Sequence, residues 1–235
     1  MSENIKKIMK AFKVDLDSSK NQNILKPSAR PFNNQAHQVN EVPKKIVEKI
    51  YKLIEGAKHP DDDIILNHNE IKEAFFSPFE PQLKDTQVFL SHSHADKNKA
   101  LKVKNYLESE TNHRVFIDSL FWDYKDDVLN ELSEYDKTSK IKDAFTLILR
   151  ESLQDMIEKC PYFVFLQSNN SVSNQGLSRI TYSAWIYEEL KIAHSIRESR
   201  PTPMMESWQV SHNISPFLES LETITLSKLS RIINS

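Results

Sequence analysis

Two histidines and an aspartate at alternate positions form the first group of side chains whose types and spacing could do chemistry. His92, His94 and Asp96 lie in the segment SHSHADK, directly after a short apolar run. His-x-His-x-Asp is a spacing found in dimetal hydrolase sites, and imidazole is a good ligand for zinc. Lys97 follows, and it places a cation where such a site requires a further ligand. The metal interpretation is therefore one of three.

The same segment has two interpretations without a metal. In one, Asp96 or Ser93 caps the helix that follows, and the histidines are exposed on the loop. In the other, the loop from Ser91 to His94 lines a pocket. We favour the cap for Asp96 and the pocket for the loop. The remaining histidines are scattered along the chain and form no partner motif.

A carboxylate on a predicted amphipathic helix is the second candidate. In the segment SAWIYEEL, residues 183–190, successive side chains are about 100° apart, so Glu189 falls between two apolar stripes. Glu188 lies on the opposite side, with Lys191 as an ion-pair partner three residues on, so we expect it to be ordinary solvated surface. The neighbours of Glu189 at three and four positions are all apolar: Trp185, Ile186, Ile192 and Ala193.

Glu189 has two interpretations that helix geometry alone does not separate. Its stem could cover apolar surface while the carboxylate reaches water or a distant Lys or Arg. It could instead be an active-site carboxylate whose pKa is raised, since desolvation disfavours the charged form. One of these explanations is needed, because burying an unpaired carboxylate is costly.

Alternating strand and helix patterns surround both groups from about residue 85 onward. Apolar runs predict strands at 87–91, 114–117 and 162–166, and weaker ones at 203–206 and 222–226. Helical spacing predicts helices at 95–109, 125–135, 148–157 and 178–199. This alternation predicts an α/β domain with a parallel sheet and helices on both faces. Ligands gather at the carboxyl ends of such strands, so we expect the site after Leu90, Ile117 and Leu166.

The first part of the chain differs in amino-acid composition. Residues 1–43 are polar and rich in Asn, Gln and Ser. We predict a short amphipathic helix near 4–13, then an irregular arm, and further helices at 43–57 and 71–76. The predicted organisation is an N-terminal extension over 1–84, partly helical and of unassigned function, followed by a domain over 85–235.

Glycine is scarce, and its scarcity excludes whole classes of nucleotide site. The chain of 235 residues has two glycines, Gly56 and Gly176, where roughly 16 would be usual. Neither the G-x-G-x-x-G fingerprint nor the G-x-x-x-x-G-K-[ST] phosphate loop can be written with them. We expect any nucleotide to be held by the side chains of strand-end loops rather than by a glycine-rich backbone.

Charge and cysteine content exclude further classes. A net charge of -2 argues against a protein whose main role is to coat nucleic acid. The single cysteine, Cys160, excludes an intrachain disulfide and a cysteine-rich zinc site. No signal peptide is visible, and the longest apolar run is far shorter than the ~20 residues of a membrane span. We therefore expect a cytoplasmic protein with no nucleic-acid or membrane partner.

Four segments, taken in order, resemble the Toll/interleukin-1 receptor (TIR) domain family, and most closely its bacterial members. They are VFLSHSHADK at 88–97, RVFIDS at 114–119, CPYFVFLQS at 160–168 and SAWIYEEL at 183–190. The resemblance extends over residues 85–200, roughly half of the chain. It implies a flavodoxin-like fold of three layers with a parallel sheet of about five strands.

The resemblance also implies an activity. Many members of this family cleave NAD⁺ between nicotinamide and ribose, and release ADP-ribose or a cyclic or modified form of it. Their catalytic glutamate lies four residues after the tryptophan of a W-x-x-x-E pattern, which here runs from Trp185 to Glu189. Helix geometry singles out the same glutamate. NAD⁺ would be the substrate, and we expect neither a cofactor nor a metal.

The substrate contacts that follow from the resemblance lie at the strand ends and on the helix. Phe89, Trp122 or Tyr124 would stack on nicotinamide or adenine, and the polar side chains would contact phosphates or ribose. Trp185 would mainly pack and position the helix. The predicted substrate-binding residues are Phe89, Ser91, His92, Ser93, Asp118, Trp122, Lys125 and Trp185.

The resemblance further implies partners. Members of the family often act only when assembled, because a loop of a neighbouring subunit completes the site. Here that loop would be 119–125, and 1–84 would control assembly or sense a trigger. Bacterial relatives commonly serve antiphage defence, some by sending a nucleotide signal to a separate effector protein. The alternative is a non-catalytic module that docks on other TIR domains. A metal-dependent hydrolase that uses His92, His94 and Asp96 is more remote.

Overall fold

The structure, a computed structural model, describes part of the chain. The residues described are 9–25, 48–50, 52–53, 68–76, 85–119, 128, 130, 139–175, 178–198 and 212–235. The chain divides into two compact units, one of residues 1–29, 85–119 and 154–235 and the other of residues 30–84 and 120–153. Within the described ranges, no helix combines the length and the apolar character that crossing a bilayer requires.

The described residues include eight strands in two sheets. The strands are β1 Lys10–Asp15, β2 Thr86–Ser91, β3 Arg114–Ile117, β4 Tyr162–Gln167, β5 Ser173–Gln175, β6 Ser178–Thr181, β7 His212–Asn213 and β8 Glu222–Thr223. The main sheet has five parallel strands in the spatial order β3-β2-β4-β1-β8. The smaller sheet is antiparallel, in the order β5-β6-β7.

Helices alternate with the strands of the main sheet. They are α1 Ser19–Ile24, α2 His68–Phe76, α3 Lys97–Glu110, α4 Ser139–Lys159, α5 Ala184–Glu198, α6 Ser215–Glu219 and α7 Leu226–Asn234. A short 3-10 helix, His94–Asp96, leads directly into α3. Together with the parallel five-stranded sheet, this alternation confirms the predicted α/β, flavodoxin-like fold.

The buried strands explain why the sheet could be predicted. Parallel strands covered on both faces appear in sequence as continuous apolar runs. In β4 the four residues from Phe163 to Leu166 are all completely buried, and in β2 Val88 to Leu90 are as well. The strands predicted at 87–91, 114–117 and 162–166 are therefore confirmed as β2, β3 and β4.

The N-terminal segment requires a correction. The helix predicted near 4–13 is wrong from Lys10 onward, because Lys10–Asp15 is strand β1, which lies between β4 and β8 in the main sheet. Val14 and Leu16 are almost completely buried, and the amide of Leu16 donates to the carbonyl of Gln167. The predicted domain boundary at residue 85 fails for this strand, since residues 1–29 belong to the same unit as the other main-sheet strands.

The segment predicted as one long helix over 178–199 is also divided. Ser178–Thr181 is strand β6, and α5 begins only at Ala184. The hydroxyl of Ser183 accepts from the amide of Ile186, which satisfies one donor of the first helical turn. The strand predicted at 222–226 is confirmed for Glu222–Thr223, whereas 203–206 and most of 125–135 and 43–57 lie outside the described residues.

Candidate active site at the carboxyl ends of β2 and β3

The site is built where two neighbouring strands end. β2 and β3 are paired up to the last residue of β3, and β4 flanks β2 on its other side. The connection after β2 goes to β3 on one side and the connection after β4 goes to the other side, so the carboxyl end of β2 borders a switch point, where open parallel sheets bind ligands. Ser91 ends β2, His92 follows it and Asp118 follows β3. Helix α5 contributes Glu189, which faces Asp118 and Ser91.

Glu189 is the most deeply placed of these groups, with an exposed fraction of 0%. Burial is the main reason that the pKa of its carboxyl lies well above the ordinary value; the charge of Asp118 raises this pKa further, and the Ser91 hydroxyl opposes the rise. Neither oxygen has a hydrogen-bond partner of good geometry among the described residues. The interpretation in which the carboxylate reaches water is therefore wrong.

His92 and Asp118 form a buried pair beside Glu189. Nδ1 of His92 lies 2.5 Å from Oδ1 of Asp118, at ion-pair distance but without the alignment of a good hydrogen bond. Burial alone would lower the pKa of His92; the charge of Asp118, with a smaller contribution from Asp96, outweighs it, so this pKa is raised. The interpretation in which both histidines are exposed on the loop is wrong for His92, which is buried, whereas His94 is exposed.

Unsatisfied polar atoms are concentrated at this site. In the described part of the chain, seven buried side-chain nitrogen and oxygen atoms have no hydrogen-bond partner. Such atoms are uncommon in folded proteins and mark strain, catalysis or a bound group. All seven belong to residues at the ends of β2 and β3 or on α5: Ser91, His92, Asp118, Ser119 and Glu189.

Asp96 occupies the predicted cap position with a different role. It precedes α3 as its N-cap residue, yet its side chain makes no capping hydrogen bond, and neither does that of Ser93 before the 3-10 helix. The buried Asp96 carboxylate instead accepts from the Ser168 hydroxyl and, at 2.9 Å, from Nδ2 of Asn170. Nζ of Lys99 lies 3.3 Å from the same carboxylate. Asp96 thus fastens the start of α3 to the loop after β4.

Replacing Asp96 by alanine is expected to destabilise the protein by about 1–3 kcal/mol, because the Ser168 hydroxyl and the Asn170 amide lose their acceptor. Urea unfolding followed by circular dichroism measures this change. Asp96→Asn keeps one acceptor oxygen and is the matched control, for which we expect a smaller loss. An Asp96→Ala variant with the wild-type midpoint would show that these hydrogen bonds do not hold the loop.

Several predicted substrate contacts belong to the core or lie beyond the described residues. Phe89 is completely buried, and its ring centroid lies 5.8 Å from those of both Phe116 and Phe163, so it is a core residue and does not offer a stacking face. Trp185 is half-buried in the first turn of α5, and its packing role stays a prediction. Trp122, Tyr124 and Lys125 lie outside the described residues.

The neighbouring glutamate differs from its prediction in burial. Glu188 was expected to be solvated surface, but only 3% of it is exposed. The predicted ion pair is present, with Nζ of Lys191 lying 3.2 Å from Oε1 of Glu188. Lys191 also lies over the Tyr187 ring at 5.4 Å from its centroid. Two adjacent buried glutamates on α5 therefore differ in that Glu188 faces a cation and Glu189 faces an aspartate.

The metal interpretation finds no centre in the described ranges. They contain no group of three or more His, Cys, Asp or Glu side chains placed to hold a metal ion. His92 is paired with Asp118, and His94 is exposed. Asp96 accepts a hydrogen bond from Asn170 in the loop after β4. The three residues of the His-x-His-x-Asp spacing thus have three different environments.

One member of the site, Ser119, was not predicted. Its hydroxyl is buried without a partner next to Asp118. The sequence did offer a pattern. Asp118 and Ser119 are two polar residues directly after the apolar run of β3, as Ser91 and His92 are directly after the apolar run of β2.

Comparison of the chain with protein-family models, with curated proteins and with solved structures gave no match. What the chain does must therefore be inferred from its own side chains.

Proposed function

We propose that the protein cleaves NAD⁺ between nicotinamide and ribose, and that Glu189 stabilises the positive charge that develops on the ribosyl group. The observation that carries this proposal is the cluster of buried polar atoms without a well-aligned hydrogen bond at the strand ends, which includes both carboxyl oxygens of Glu189. The four segments that resemble TIR domains supply β2, β3, β4 and α5, the elements around that cluster.

The chemistry asks little of the protein beyond charge stabilisation. The bond between C1′ of the ribose and N1 of nicotinamide breaks, and its electron pair goes to N1, so a cationic ring leaves as neutral nicotinamide. The remaining ribosyl centre has oxocarbenium character, which a nearby carboxylate stabilises. Water then adds to C1′ and loses a proton, giving ADP-ribose; an internal nucleophile would give a cyclic product.

The raised pKa of Glu189 is compatible with this role. Burial holds back ionisation of the carboxyl, and the proximity of Asp118 adds to this effect. A cationic nicotinamide ring next to the carboxyl favours the ionised form, as any opposite charge does. Binding of NAD⁺ would therefore favour the carboxylate where it is needed, and a nucleotide with an uncharged ring would not.

Access to Glu189 requires movement, because the residue is completely buried. NAD⁺ can touch the carboxyl only after the side chains or loops that cover it shift. In the family that the sequence resembles, assembly with a neighbouring subunit completes the site, and we propose the same dependence here. The turnover rate per subunit should then rise with protein concentration.

Incubation of the purified protein with NAD⁺, followed by chromatographic separation of the products, tests the proposal. We expect release of nicotinamide together with ADP-ribose or a cyclic or modified form of it. A series of protein concentrations, with and without a crowding agent, tests the dependence on assembly. A parallel series with a metal chelator should be unchanged, whereas loss of activity there, with activity retained in Glu189→Gln, would indicate a metal-dependent hydrolase.

One observation favours a second candidate, a TIR-like module that only docks on other copies of its kind. A carboxyl with no exposed surface and a raised pKa is also what a residue of a closed, non-catalytic domain would have. If no nicotinamide is released at high protein concentration while the protein still self-associates, this second candidate replaces the first. Roles in antiphage defence and in signalling to an effector protein are part of the proposal in its catalytic form.

A further inference from the structure

Asp118 stands between the other two titratable groups of the site. Its carboxylate lies 2.5 Å from Nδ1 of His92 and also faces the carboxyl of Glu189. All three residues are buried, with exposed fractions of 3% or less. A charge on any one of them is therefore felt by the others with little screening by water.

We propose that the Asp118–His92 pair positions Glu189 and controls its charge, Asp118 opposing and His92 favouring the ionised carboxylate. This inference rests on the proposed function and deepens it, because it assigns to Asp118 and His92 a task different from holding the substrate. Both were predicted to bind NAD⁺ directly. The contact of His92 with Asp118, and the position of Asp118 beside Glu189, instead make them positioning residues that act through Glu189.

The direction of each effect follows from the signs of the charges. Asp118 and Glu189 carry like charges when both are ionised, so Asp118 makes ionisation of Glu189 harder. Protonated His92 neutralises the charge of Asp118, so it makes ionisation of Glu189 easier. The three groups form one interacting set, whose protons are lost in coupled steps.

Among the charged groups around the set, Asp96 is the one that acts on His92, and Nζ of Lys99 lies 3.3 Å from its carboxylate. Asp96, at the start of α3, acts on His92 and helps keep it protonated. From β2 comes the hydroxyl of Ser91, which faces Glu189 and favours its ionised form. From the loop after β4 comes the hydroxyl of Ser168, which donates to Asp96. On α5 itself, Glu188 is paired with Lys191.

Two substitutions are expected to move the acid limb of the pH–rate profile in opposite directions. Asp118→Asn removes the like charge, so the limb should move to lower pH, although burial will still hold it above that of an ordinary glutamate. His92→Gln leaves Asp118 unopposed, so the limb should move to higher pH. His94→Gln, two positions from His92 and exposed, is the matched control and should leave the limb unchanged.

A second readout does not depend on activity. The side-chain carboxyl carbon of Glu189, labelled with ¹³C and assigned by its absence in Glu189→Gln, can be titrated by NMR in the full-length protein. We expect the same opposite shifts of its midpoint in Asp118→Asn and His92→Gln. If Asp118→Asn does not fold, Asp118→Ser carries the same expectation, and the His92→Gln titration tests the inference by itself.

The outcomes separate the inference from the function it rests on. Opposite shifts in the NMR titration support the control of Glu189 by the pair, whether or not nicotinamide is released. If no nicotinamide is released, the proposed function is wrong and the inference about the pair still holds. Nicotinamide release that depends on Glu189, with a titration unmoved by both substitutions or moved in one direction by both, overturns the inference alone. A merely structural role of the pair would lower stability and leave both titrations in place.

Discussion

A protein that lacks residues 1–17 is expected to lose cooperative folding. Strand β1 lies inside the main sheet, paired with β4 along its whole length and with β8 on its other side. Phe12, Val14 and Leu16 are almost completely buried, and their burial is worth roughly 5–9 kcal/mol in total. That sum is comparable with the whole free energy of unfolding of an ordinary domain, about 5–15 kcal/mol.

A point substitution tests the same strand without shortening the chain. Val14→Asp places a charge at a completely buried position and should abolish or strongly weaken the unfolding transition measured by calorimetry. Lys10→Gln, on the exposed first residue of the strand, is the matched control and should change the free energy of unfolding by less than about 0.5 kcal/mol. A truncated protein with a wild-type transition would mean that the main sheet folds without β1.

Glu189→Gln is expected to stabilise the protein at neutral pH, by on the order of 2 kcal/mol, while it strongly slows the reaction. In the unfolded chain Glu189 ionises near its ordinary pKa of 4.5, whereas in the folded protein its pKa is raised, chiefly by burial. Below that ordinary pKa both states are protonated and Glu189 contributes nothing. As pH rises through 4.5 the unfolded state alone loses its proton, so the folded state is progressively disfavoured.

The gain in Glu189→Gln should therefore grow as pH rises above the ordinary pKa and level off above the raised one. Thermal unfolding at several pH values measures this gain, since each kcal/mol of added stability raises Tm by about 2–4 °C in a chain of this length. The adjacent Glu188→Gln should have the opposite sign, because it leaves the buried Lys191 without the ion pair at 3.2 Å. A Glu189→Gln variant that is less stable than wild type at pH 7 would mean that the carboxyl has a stabilising partner.

The main sheet was predictable wherever burial on both faces leaves a continuous apolar run, as in β4. β1 escaped prediction because its alternation of lysines with Ala11, Phe12 and Val14 is compatible with a short amphipathic helix. Its place between β4 and β8 is decided by pairing with residues about 150 and about 210 positions away in sequence, which local periodicity does not contain.

Prediction of the site was likewise limited to the features that neighbouring residues in the sequence determine. Helix geometry isolated Glu189 because its apolar neighbours lie on the same helix. The burial of Glu188 was missed because the elements that cover it come from elsewhere in the chain. The pairing of His92 with Asp118 was missed for a related reason, since it depends on β2 and β3 ending side by side. Long-range contacts, rather than residue types, account for both errors.

The most direct test of the central claim is the rate of nicotinamide release from NAD⁺ by Glu189→Gln, compared with wild type and with Glu188→Gln at the same protein concentration. We predict that Glu189→Gln is slower by about 10²–10³-fold, as expected for loss of a group that stabilises transition-state charge. Glu188→Gln should retain activity within a few-fold. Equal rates in Glu189→Gln and wild type would contradict a catalytic role for Glu189.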